Sequence, residues 1–175
     1  MKFAMDIGLI LPKPLSTRGY LIYQALGSVL VNAILNFASA WSMHRHPWIP
    51  LFGWSGSITF DTCSTAVLLS GLTVLSGSWF VRHDYRTGVV RPFNPPADSC
   101  LRWLPLGTVP RALLFGVLFA ALSVPIGLGI LLLSGCQGMT FPRFLVFKLA
   151  FAVALGALVT PLNASLVLMS LPKSP

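Results

Sequence analysis

Four long stretches of the chain run almost without charge: 19–41 (GYLIYQALGSVLVNAILNFASAW), 58–80 (ITFDTCSTAVLLSGLTVLSGSWF), 111–134 (RALLFGVLFAALSVPIGLGILLLS) and 143–166 (RFLVFKLAFAVALGALVTPLNASL). Each reaches the roughly 20 residues that an α-helix needs to cross about 30 Å of hydrocarbon. None alternates in polarity as barrel strands do, and in lipid a helix satisfies its own backbone groups. The pattern therefore predicts an all-α fold, an integral membrane four-helix bundle forming one domain over 1–175. Short connections at 42–57 and 135–142 and a long one at 81–110 group the spans into two transmembrane hairpins.

Polar positions inside the runs are few and specific. Asp61 and Lys148 are the charged residues in their interiors, where one charge costs roughly 2.5–3.5 kcal/mol at mid-helix. They occupy matching places, since Ile-Thr-Phe-Asp at 58–61 resembles Leu-Val-Phe-Lys at 145–148. Such a repeat would be parallel, related by a pseudo-two-fold axis along the membrane normal. Helical rise puts Asn36, Asp61 and Lys148 in one layer near the outer boundary. Asn32 and Asn36, spaced i, i+4, share a face of the first helix, and Thr65 adds to a polar second helix. Asn32, Asn36, Asp61, Thr65 and Lys148 thus form the expected intramembrane polar cluster. In one arrangement Asp61 accepts from Asn32 or Asn36 and from Lys148, fixing how the hairpins dock. In another, Lys148 snorkels outward and Asp61 meets water. In a third, Asp61 is a protonatable group in a proton or cation path. Pro125 and Pro161 are expected to kink the third and fourth helices.

Composition fits lipid as the solvent: 55% of the 175 residues are hydrophobic and only 9% charged, with 12 Lys and Arg against four Asp. The basic residues are also uneven. Nine fall in the N-terminal segment, the 81–110 connection with its flanks, and the tail, while Arg45 and Arg143 fall on the other side. By the positive-inside rule both termini and the 81–110 connection are cytoplasmic. The net charge of +8 then follows from topology and anionic headgroups, and no nucleic acid is expected as a partner. The expected partners are membrane lipid and other membrane subunits or further copies of the chain. Arg82, Arg86, Arg91 and Arg102, interleaved with Tyr85, Phe93 and Trp103, mark the connection as the surface touching lipid or a partner. The first 18 residues lack a signal-peptide form, and residues 3–10 fit a short interfacial segment.

Chemistry-bearing motifs are missing from the sequence. There is no paired-carboxylate set, Gly-rich phosphate loop, GxSxG, HExxH or zinc-type cysteine cluster, and no histidine falls within the four runs. His44 and His46 read as exposed loop residues. Cys63, Cys100 and Cys136 lie on different levels, which disfavours a disulfide within the chain. No catalytic residue, metal or cofactor is expected. The segments VNAILNFASAW, ITFDTC and FKLAFAVALGALVTPLNA resemble a family of small bacterial four-helix inner-membrane proteins. That resemblance implies a bacterial inner-membrane location and no mechanism. The expectation is a non-enzymatic accessory or assembly subunit, the alternative a small oligomeric transporter or permease using Asp61.

Overall fold

A computed structural model describes residues 15–43, 47–91 and 107–171. Four helices account for most of them: α1 (Thr17–Met43), α2 (Ile58–Arg86), α3 (Thr108–Leu133) and α4 (Phe141–Ser170). All four are long and apolar enough to cross a membrane, which points to a membrane protein. Each extends beyond its apolar run at one end or both. The largest extension is in α2, whose last turns, 81–86, carry charge yet bury Val81 and place His83 and Arg86 where a helix C-terminus favours positive charge. His83 therefore lies inside a helix, stacked on Trp79 with ring centroids 5.7 Å apart. It lies beyond the apolar run of that helix, 58–80. At the other end of α2, Ser57 caps the helix by accepting from the Phe60 N–H. Pro142 sits in the first turn of α4, where its missing N–H is harmless. Both α3 and α4 remain helical through Pro125 and Pro161.

The close packing does not follow the order of the chain. α1 lies against α4, α4 against α2, and α2 against α3, whereas α3 touches α4 little and α1 touches α2 less. Helices joined by the short connections therefore do not share broad faces. The connections meet each other instead: strands β1 (Trp48–Pro50) and β2 (Gly138–Thr140) pair antiparallel, with Ile49 opposite Met139. Bonds from Leu51 N to the Gln137 carbonyl and from Thr59 N to the Leu51 carbonyl fasten this clasp to the first turn of α2. Gly138 is needed there, because a Cβ would stand 2.7 Å from the Ile49 carbonyl oxygen. Exchanging α1 with α3 and α2 with α4 maps the three broad helix contacts and the strand pair onto themselves, as a two-fold axis between α2 and α4 would.

The interior is built at three levels. Beneath the clasp, Ala40, Ile49, Leu51, Ile58 and Phe144 pack together. Ala66, Val74, Phe115, Ala152 and Val159 fill the middle, and Tyr20, Val81, Val90, Val167 and Leu168 the opposite end. Around these, Leu26, Leu30, Leu35 and Trp41 on α1 and Leu113, Val117, Ile126 and Leu133 on α3 stand exposed. So continuous an apolar flank suits hydrocarbon rather than water. We refer to the two extremities of the bundle as the strand end and the basic end.

Candidate functional site

Because α4 has α1 on one side and α2 on the other, its polar side chains form a seam down the middle of the molecule. At the strand end Asp61, in the first turn of α2, benefits from that helix's positive pole. Lys148 projects from α4 to meet it, Nζ lying 2.5 Å from Asp61 Oδ1. The two side chains are only 2% and 11% exposed. Lys148 Nζ also lies 3.5 Å from Ser39 Oγ on α1 and 5.8 Å from the centre of the Phe144 ring. Lys148 thus ties α1, α2 and α4 together, and it does not snorkel outward.

The asparagines expected at this pair serve elsewhere. Asn36 Nδ2 donates to the Asn32 carbonyl one turn back, and Asn32 Nδ2 donates to Ser28 Oγ. Neither is bonded to Asp61 among the described residues. Asn32 instead belongs to a middle level, where Thr160 of α4 donates to Ser28 of α1 at 2.6 Å. Gly156 permits this approach, since a Cβ there would overlap Asn32 Nδ2. Thr65 lies half-buried on α2 one turn from Asp61, outside the ion pair. Of the expected cluster, then, Asp61 and Lys148 come together, Asn32 and Asn36 cross-brace α1, and Thr65 stands apart.

The basic end holds groups that the sequence reading placed wrongly. Arg111, assigned to the flank of the long connection, is fully buried in the first turns of α3. Its Nη2 donates to Ser78 Oγ at 3.0 Å, while Nε and Nη1 are buried with no hydrogen-bond partner among the described residues. Ser78 in turn donates to the Val74 carbonyl, and Asn163 of α4 stands beside it with Oδ1 at 3.3 Å. Leaving donors of a buried charged group unmet costs at least about 1–3 kcal/mol. Arg82 adds to the charge: it reaches α3 through Thr108 at 3.2 Å, and its guanidinium repels that of Arg111. The missed signal was spacing. Arg111 shares a helical stripe with buried Ala112, Phe115 and Gly116, so its side chain starts on an inward face.

Asp84, near the end of α2, is also engaged. The hydroxyl of fully buried Tyr20 donates to Asp84 Oδ2 at 2.8 Å, and Gln24 Nε2 donates to the same oxygen at 3.0 Å. This joins the start of α1 to the end of α2. A bond from Leu15 N to the Val89 carbonyl reinforces it.

Of the residues expected to touch lipid or a partner, Arg82 and Arg86 line two clefts of about 270 and 220 Å³ at the basic end. Tyr85, Ser170 and Leu171 complete the first cleft, Trp79 and His83 the second. Arg91 is exposed just beyond α2. Arg102 and Trp103 lie outside the described residues, as do His44, His46, Cys100 and residues 3–10. Cys63 and Cys136 are free thiols. Among the described residues no three His, Cys or Asp side chains gather as metal ligands would. Comparisons with family models, with curated proteins and with solved structures gave no match, so a functional reading has to rest on this geometry.

Proposed function

We propose that the chain is a non-enzymatic accessory or assembly subunit of the bacterial inner membrane, with both ends and the long connection on the cytoplasmic side. The observation that carries this reading is the closure of Asp61 on Lys148. A carboxylate in a transport path must exchange protons or ions with water. One neutralised by a buried ammonium that itself bridges three helices is suited to holding helices in register. The broad apolar flanks of α1 and α3 then serve as faces for lipid and for other subunits or further copies of the chain. The seam of Ser, Thr and Asn fits the same role, since such groups act mainly as interhelical glue.

The test is purification from native membranes in a mild detergent at native expression. Co-migration with a defined membrane partner at fixed stoichiometry is expected, and a lone protomer in every detergent would refute the reading. A second reading, a small oligomeric transporter or permease using Asp61 for a proton, cation or polar solute, draws on the 11% of that side chain left exposed. Proteoliposomes under a pH or ion gradient decide it. Flux abolished by Asp61→Asn would support transport, and no flux in the native protein would dismiss it.

A further inference from the structure

We propose that the basic end of the bundle contains a specific binding site for a phosphate group, with Arg111 and Arg82 as its ligands. Arg111 is the motivating residue. It is wholly buried, and among the described residues it donates only to Ser78 and has two nitrogens with no partner. The described acids are both committed elsewhere, Asp61 to Lys148 and Asp84 to Tyr20 and Gln24. A guanidinium without a carboxylate is a group that phosphate oxygens match in charge and in donor geometry.

Further features at this end favour an anion. Arg82 bonds to Thr108 one turn from Arg111, so two like charges converge there. The first turn of α3 begins at Gly107 without a side-chain cap, so backbone N–H groups add partial positive charge. Arg82 and Arg86 line both clefts, Arg111 neither, and the larger, about 270 Å³, far exceeds the roughly 30 Å³ share of one water. Trp79 and Phe80, both exposed, lie on the adjoining surface of α2. Aromatic residues beside basic clefts suit a phosphate attached to acyl chains, as in an anionic phospholipid. The chemistry at the arginines would be the same for inorganic phosphate. Diffuse headgroup attraction needs only surface charge, whereas this site depends on a buried arginine.

The experiment uses the full chain, stripped of lipid in detergent and examined by native mass spectrometry with phosphatidylglycerol, phosphatidylcholine or inorganic phosphate added. We expect one phosphatidylglycerol per protomer, retained about tenfold more strongly than phosphatidylcholine. Arg111→Gln and Arg82→Gln should each remove that preference, and Arg143→Gln, exposed at the strand end, should leave it intact. Arg82 is exposed, so its variant decides the matter if Arg111→Gln fails to fold. Binding of inorganic phosphate with the same arginine dependence, without lipid preference, would identify a soluble anion as the source and uphold the site. Equal retention of both lipids with no arginine-dependent phosphate binding would overturn it. So would a lipid preference that all three variants weaken alike.

Discussion

Removing the charge of Lys148 should destabilise the native protein far more than it destabilises an Asp61→Asn variant. Lys148→Met is the informative change, because it keeps the length of a side chain only 2% exposed and so leaves no large cavity. With an effective dielectric of about 20, unit charges at the observed 2.5 Å attract by roughly 6–7 kcal/mol, from which the desolvation of both ions must be subtracted. What remains on breaking the pair is about 3–5 kcal/mol, chiefly from the carboxylate left behind without its partner. In an Asp61→Asn background no anion is stranded, and Lys148→Met instead removes a buried, uncompensated ammonium. Its cost there should fall below about 1 kcal/mol or become a gain. The coupling of about 2–4 kcal/mol corresponds to roughly 30- to 700-fold in the unfolding constant. Reversible unfolding in mixed micelles, followed through the fluorescence of the five tryptophans, gives the four free energies. Equal costs in the two backgrounds would show that the ions do not support each other and would remove the basis for assigning them a structural role.

Gly138→Ala should lower thermal stability in detergent by about 1–3 kcal/mol, because the new Cβ meets the Ile49 carbonyl and the Trp48 ring; an unchanged melting temperature would mean that the strand pairing is dispensable. Tyr20→Phe should cost about 1.5–3 kcal/mol by removing a buried donor to Asp84, measured by the same micelle unfolding, and much less when Asp84 is already Asn. Membrane-impermeant maleimide applied to spheroplasts of cells expressing single-cysteine variants, with Cys63, Cys100 and Cys136 replaced by Ser, should label Gln137→Cys and spare Thr87→Cys. The reverse pattern would invert the proposed orientation.

The four helices were legible because an apolar run of spanning length has few other structural outcomes. Asp61 and Lys148 were legible as sharing one level because depth along a helix can be counted from the sequence, whereas their pairing was one arrangement among several. The order of packing was not, because helices apolar on nearly every side present no single face that selects a neighbour. Arg111 shows a related difficulty: beside a boundary, one turn separates a residue that meets water from one turned into the bundle. Asn32 and Asn36 were correctly placed on one face, but their short side chains found carbonyl and hydroxyl partners within α1 before any on α2. The strand clasp escaped notice because three-residue strands carry too little pattern to read.

The embrace of α1 by α4 has a consequence for biogenesis. When α1 leaves the ribosome its main neighbour does not yet exist: Phe141 follows Met43 by 98 positions, about 5–20 s of synthesis at ordinary elongation rates. Through that interval Ser28, Asn32 and Ser39 must wait beside lipid or a chaperone, without Thr160 and Lys148 to receive them. A chain truncated before α4 would keep them in that state, an orphan helix displaying the polar face that membrane quality control is equipped to notice.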